Sequence, residues 1–418
     1  MAEGDRTRRT VPPWITVAAA VFAIAWGGNE FTPLLTMYRV EHGFSDFIVD
    51  ILLFAYVLGI VPGLLLGGPL SDRFGRRALM LPAPVFAIAG SAVLAVGASQ
   101  AAVLFTGRVL SGISIGLAMA VGGSWLTELS RAPYDHRALA SAGPRRMAMS
   151  LTAGFALGAA AAGALAQWGP WPSIVPYAVH IVLTAVVLVP LFWVPETRVS
   201  IPAHVRSAPL LADLKIPSAG HRRFWLVIVP VAPWVFGAAA AAYAVLPNLM
   251  TEHSAGMPIA FGALLCLLAL GCGFGIQALG RKIDKPGTAR GVLTAFALLV
   301  AALPLAAFAA ATLSVPLVIA AACVLGAGYG MALVAGLLEV QRVATPDDLA
   351  GLNAVFYSLS YLGFAVPAAM ALGAQVVSYP AMFMGGAVVA ALSFALVLAG
   401  SRISPTQALK ANLARVST

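Results

Sequence analysis

Twelve apolar stretches, each near the ~20 residues needed to cross the hydrocarbon of a bilayer, follow one another along this chain at 14–38, 46–67, 78–98, 101–125, 145–168, 173–194, 224–249, 256–279, 289–312, 315–338, 350–375 and 378–400. Short polar or Pro/Gly breaks separate them. A backbone in lipid must satisfy its amides internally, which leaves helices or a closed barrel, and the alternating short strands of a barrel are absent from the pattern. Composition agrees: 60% of the 418 residues are hydrophobic and 10% are charged, against roughly a quarter charged in soluble domains. The expected fold is therefore an all-α membrane protein of twelve transmembrane helices in two pseudo-symmetric six-helix bundles. The first stretch follows Arg6, Arg8 and Arg9 as a signal peptide would, but it is too long for one and carries Glu30 and a Trp26-Gly27-Gly28-Asn29 break. It reads as a mature helix.

The net charge of +9 invites an acidic partner until the basic residues are placed. Of the 25 Lys and Arg, all but Arg39 and Arg108 fall at the termini, in the alternate loops 68–77, 131–146, 198–223 and 281–290, and around 342. That asymmetry is the positive-inside bias. It predicts a multi-pass protein of the cell's inner (plasma) membrane with both termini cytoplasmic, whose partners are the lipid bilayer and a small solute, and it argues against nucleic acid.

The longest polar stretch divides the chain into an N-terminal unit at 1–194, a cytoplasmic linker at 195–223, a C-terminal unit at 224–401 and a tail at 402–418. A shift of 212 residues lays Gly63 on Gly275, Gly68 on Gly280, Asp72 on Asp284, Arg73 on Lys285 and Gly75 on Gly287, and a shift of 211 lays Glu128 and Arg131 on Glu339 and Arg342. Charged residues are scarce here, so agreement on nearly one offset indicates duplication of a six-helix unit. Duplicated bundles around a midplane site are a transporter architecture. Gly271-x-Gly273-x-Gly275 and Gly326-x-Gly328-x-Gly330 lie inside apolar stretches, where they suit close helix packing rather than nucleotide binding. No phosphate-binding Gly-Lys-Ser/Thr loop occurs. Cys266, Cys272 and Cys323 lack metal-ligand spacing and read as small packing residues, so neither metal nor cofactor is expected.

Gly68-Pro69-Leu70-Ser71-Asp72-Arg73-Phe74-Gly75-Arg76-Arg77 resembles the signature loop of the major facilitator superfamily and stands between the second and third stretches, where that family carries it. Gly280 to Gly287 is a weaker copy, Arg108-x-x-x-Gly112 is similar to the family's second motif, and Pro195-Glu196-Thr197 closes the sixth stretch as in many members. The resemblance implies the twelve-helix fold around a central cavity. In physical terms, Gly68 permits close helix approach, and Asp72 can meet the positive N-terminus of a neighbouring helix. Arg73, Arg76 and Arg77, around the turn at Gly75, can then tie the loop to Glu128 as a latch between the halves. Glu128/Arg131 and Glu339/Arg342, each one turn apart, with Asp284, read either as structural ion pairs or as a gate.

Two ionisable residues stand well inside the stretches, Glu30 and Arg108, at matching depths of about 12 Å below the far surface. They are expected to meet as an ion pair that couples protonation to conformation, or else as a static packing pair. His180 reads as a packing histidine. Trp26, Asn29, Trp234, Tyr329, Tyr357 and Tyr361 are candidate cavity residues, apolar and aromatic for the most part. With no charge inside the second half, the cavity favours a lipophilic solute. The expected function is proton-coupled export of a lipophilic drug-like compound or metabolite by a monomer; the alternative is proton-coupled uptake of a small organic metabolite. One departure is that exporters of this family usually carry Gly-Pro in the fifth stretch, where Gly154, Gly158 and Gly163 have no proline. No catalytic constellation occurs, so no enzyme is expected.

Overall fold

The computed structural model describes residues 11–139, 141–198, 216–285, 288–345 and 348–402. Most of the linker, most of the tail, and Gly287 lie outside the described residues. Among them stand twelve apolar helices and no strand: α1 (Pro13–Val40), α2 (Asp46–Phe74), α3 (Arg76–Val96), α4 (Ala101–Leu129), α5 (Ala142–Trp168), α6 (Val175–Leu191), α7 (Phe224–Leu249), α8 (Pro258–Ile283), α9 (Arg290–Thr312), α10 (Val315–Val343), α11 (Leu349–Gly373) and α12 (Tyr379–Gly400). α6 is the short one, at 17 residues.

Helix ends follow local chemistry. α6, α8, α10 and α12 start on the face opposite the basic loops, and each carries Pro in its first two positions, where a missing amide is not needed. At the basic face α2, α4 and α10 run on to Phe74, Leu129 and Val343, several residues beyond their apolar stretches. Asp72, Glu128 and Glu339 consequently ride on helix rather than on loop.

Within the first half α1 packs on α5 and α2 on α4, while in the second α8 packs on α10 and α9 on α10 and α12. The halves meet where α5 and α1 lie against α8, and α2 against α11. Glycines set the tightest of these approaches. A Cβ at Gly112 would stand 2.1 Å from the Tyr56 carbonyl oxygen, and one at Gly59 would stand 2.1 Å from that of Val109. The second half repeats the device, with a Cβ at Gly330 falling 1.9 Å from the Gly273 oxygen. Gly68 is different: a Cβ there meets nothing within 4 Å, so the expected close approach at Gly68 is made instead at Gly59 and Gly112. The described end of the linker docks on the second half, where the Ser218 amide and hydroxyl both donate to Asp348, at 2.8 and 3.0 Å.

Gly112→Ala must push α2 and α4 apart, at a cost of about 1–3 kcal/mol, and should lower the thermal unfolding midpoint in detergent. Gly68→Ala should leave it unchanged. Equal midpoints for the two variants would refute the glycine contact.

Candidate functional site

A cavity lies between the halves, lined by Gly28, Asn29 and Thr32 of α1, Leu53 and Tyr56 of α2, Arg108 of α4 and Phe155 of α5, and across from them by Phe236, Tyr243, Leu270, Tyr329, Tyr361 and Phe364. Asn29, Tyr329 and Tyr361 thus stand in its wall. Trp26, Trp234 and Tyr357 do not: Trp26 meets the Phe22 ring edge-on, Trp234 meets Phe296, and Tyr357 lies beside Phe356. Tyr56, Phe155, Phe236 and Tyr243 escaped the sequence reading because an aromatic residue within an apolar stretch carries no mark of which way it faces.

Contacts between the halves close the cavity toward the far face. Gln167, near the end of α5, accepts the backbone amides of Ile259 and Ala260 at the start of α8, both at 3.1 Å, and Gly163 packs against Ala263. Deeper in, Asn29 donates to the Phe155 carbonyl oxygen at 3.0 Å and to Cys266 Sγ at 3.5 Å. Phe236 stacks on Tyr361 at 4.2 Å between centroids, and the Tyr361 hydroxyl reaches Met119 Sδ across the interface at 3.5 Å.

Glu30 and Arg108 are both buried and near one another, but they do not form the expected ion pair. Glu30 turns away from the cavity, toward α3 and α6. Ser91 Oγ lies 2.7 Å from Glu30 Oε1 and 2.7 Å from His180 Nδ1, and His180 Nδ1 is 3.4 Å from Glu30. His180 Nε2 lies 3.0 Å from the Ala23 carbonyl oxygen and 2.9 Å from Thr184 Oγ1. Arg108 takes a different surrounding. Its Nε donates to the Leu52 carbonyl oxygen at 3.3 Å, and its guanidinium sits 4.5 Å from the Phe31 ring centroid and 4.3 Å from that of Tyr56. Phe31 follows Glu30 by one residue, about 100° further round the helix. Matching depth did not imply matching direction.

Ser91 has one proton for two neighbours. When Glu30 is ionised, Ser91 donates to it and accepts from His180 Nδ1–H, while Nε2 accepts from Thr184. When Glu30 is protonated, its hydroxyl donates to Ser91, Ser91 donates to Nδ1, and Nε2–H donates to the Ala23 oxygen. The imidazole is neutral and fully bonded in both arrangements, which differ by one proton. Ser91 was invisible in the sequence, where it is one uncharged residue in an apolar stretch.

At the basic face each half builds one arginine between an Asp and a Glu. Arg76 lies 2.8 Å from Asp72 and 2.9 Å from Glu128, whereas Arg342 pairs with Asp284 and lies 2.6 Å from Glu339. The carboxylates correspond by the repeat, but the arginines come from different positions. Glu128 therefore does not pair with Arg131, which is exposed and makes no ion pair among the described residues. Arg223, at the foot of α7, adds a second cation on Glu339 at 2.7 Å, and both side chains are almost wholly buried.

The anion at a helix N-terminus is Glu196 rather than Asp72. Its carboxylate accepts the amides of Arg76 and Arg77, at 3.0 and 2.8 Å, where α3 begins. Gly75 makes this possible, with φ 98° and with Glu196 Oε2 2.7 Å from where a Cβ would stand. Thr197 donates to Glu128, and Arg73 is buried at the end of α2. Asp72, Arg76 and Glu128 belong to the first six helices and Glu196 to the segment directly after α6, so among the described residues these contacts brace that unit internally and do not latch it to the other.

The model of the Major Facilitator Superfamily matches residues 15–368. The chain belongs to the major facilitator superfamily. Among solved structures, the peptide transporter POT in complex with sulfate superposes with a TM-score of 0.72 over 94% of this chain and 95% of that one, at 16% identity. The human organic anion transporter MFSD10 does so at 0.62, with 19% identity over 93% and 100% of the two chains. At these identities the likeness shows the fold. Among curated relatives, the chloramphenicol resistance protein of Pseudomonas aeruginosa is 25% identical over 63% of this chain and 60% of its own length. The bacillibactin exporter of Bacillus subtilis (strain 168) is 29% identical over 24% of this chain and 26% of its own. The matched regions thus span less than two thirds of either relative. As a major facilitator the chain is a multi-pass membrane transporter rather than an enzyme.

Glu339→Gln leaves Arg223 buried against a neutral partner, which should destabilise the protein by about 3–5 kcal/mol, read as a large fall in unfolding midpoint. Arg131→Ala should be silent. A silent Glu339→Gln would mean that Arg223 is held by other groups.

Proposed function

We propose that this transporter exports a lipophilic organic solute from the cytoplasm in exchange for protons, with Glu30 carrying the proton. The observation that carries the reading is the buried Glu30–Ser91–His180 chain, whose hydrogen bonds are complete at His180 and Ser91 in both protonation states of Glu30. A carboxyl group in the membrane interior that can load or release a proton without breaking its surroundings suits a coupling site. Its partners lie on α3 and α6 of the same unit and travel with it, so rocking of that unit changes the access of water to Glu30 and with it the affinity for the proton. Arg108, close by on α4 of the same unit, adds a positive field to that site.

Export is favoured by the name of the bacillibactin exporter, and a lipophilic solute by the aromatic wall at Phe236, Tyr243, Tyr329, Tyr361 and Phe364, which suits an apolar body. The basic face is cytoplasmic in this reading, by the positive-inside rule. The units at 1–194 and 224–401 rock about the cavity as a monomer. The carboxylate clusters of each basic end keep each unit rigid during that motion, and Gln167 closes the far side.

The test is transport in proteoliposomes with an imposed pH gradient and a pH-sensitive dye inside, across a panel of lipophilic solutes. Wild type should couple solute flux to proton flux in the opposite direction. Glu30→Gln, which cannot titrate, should lose pH-driven accumulation and keep solute binding, and Ser91→Ala should slow coupled flux several-fold. Undiminished uphill transport by Glu30→Gln would remove Glu30 from the mechanism. Proton and solute moving the same way would replace export with uptake.

A further inference from the structure

Two hydrogen-bond donors stand buried and unpartnered in one wall of the cavity. Arg108 is 1% exposed and Tyr56 is 2% exposed, and both line the cavity. Arg108 uses Nε on the Leu52 carbonyl, yet its Nη1 has no partner, and neither does the hydroxyl of Tyr56. They are neighbours, since the guanidinium lies over the Tyr56 ring at 4.3 Å. Leaving a buried donor unbonded costs about 1–3 kcal/mol, and more when it is charged. Two such groups side by side mark the place of an acceptor that the protein itself does not supply.

The chemistry of that acceptor follows from the charge. A guanidinium is always cationic and only donates. Glu30 holds Ser91 and His180 through Oε1 while its Oε2 is buried without a partner, but it makes no ion pair with Arg108, and no carboxylate lines the cavity. The second half brings tyrosines and phenylalanines to the opposite wall and no charge from the interior of its helices. The cavity is about 30 Å³ with the halves closed on it, so a solute enters only as they part; one cation in an aromatic wall then fits one negative charge on an apolar body, and a second negative charge would have no partner.

We propose that Arg108 and Tyr56 form an anion subsite, and that the solute is an amphiphilic monoanion whose charged group sits there while its apolar or aromatic body lies against Phe236 and Tyr361. This deepens the export reading, on which it rests for the solute being cargo. Arg108 then has two engagements: the stack between Phe31 and Tyr56 holds it in place when the cavity is empty, and the solute's anionic group takes its free N–H when the cavity is filled.

The experiment is equilibrium calorimetry on the whole protein in lipid nanodiscs, with no pH gradient. The probes are naphthalene-2-carboxylate and a graded series of aryl carboxylates, each paired with its neutral carboxamide. The carboxylates should bind on the order of tenfold or more tighter than their amides, as a charge-assisted bond implies. Arg108→Gln should erase that preference while leaving amide affinity in place, Arg108→Lys should restore part of it, and Tyr56→Phe should reduce it several-fold. Absence of preference throughout the series, including no binding of any pair, overturns the subsite, as does an Arg108→Gln variant that weakens acid and amide equally. Preference intact in a wild-type protein that shows no pH-driven flux would remove the proton-coupling reading and leave the subsite standing.

Discussion

In lipid a peptide group has no solvent to turn to, and the remainder of this structure depends on that. Each helix closes its own hydrogen bonds, so neighbouring helices recognise one another through side chains and through the absence of side chains. Where Gly59 and Gly112 bring α2 onto α4, the backbone of one helix becomes the packing surface of the other. The same contact carries Arg108, one turn from Gly112, to the Leu52 carbonyl and the Tyr56 ring. A guanidinium in an apolar interior is tolerable there because two aromatic faces and a carbonyl replace part of its hydration. Cation–π contacts contribute about 0.5–2 kcal/mol each.

How much of this was legible in the residues depends on which physical quantity the residues encode. Length and hydropathy encode spanning helices, and all twelve were placed, with ends misjudged where α2, α4 and α10 continue as helix past the hydrocarbon. Glycine and charge at fixed spacing encode the family and the repeat, because those residues are rare enough in an apolar chain for coincidence to be costly. Direction around a helix is not encoded by depth along it. Height alone therefore pairs Glu30 with Arg108, whereas the carboxylate points to α3 and α6 and the guanidinium to the cavity. The groups that complete the Glu30 surroundings, Ser91 and Thr184, carry no charge and could not stand out.

The duplicated ends show what is retained when a unit is copied. Both halves keep an Asp and a Glu bridged by an arginine, but the first draws it from the start of α3 and the second from the end of α10. The retained quantity is the electrostatic balance at a helix junction, not the address of each residue. Glu196 extends the same principle, since the amides that open α3 need an acceptor and the segment after α6 supplies one. That carboxylate also ties the start of α3 to the segment after α6 at the basic end of its half, a condition for moving as a body.

Gln167 gives the far face another character. It holds two amides at the first turn of α8, and those amides belong to the four at any helix start that lack a partner within the helix. When the halves part, water reaches both the amides and the carboxamide, and each exchanges one neutral hydrogen bond for another of similar strength. Wetting therefore opens this seam at little net cost, while drying reseals it, so the far gate answers to hydration rather than to charge.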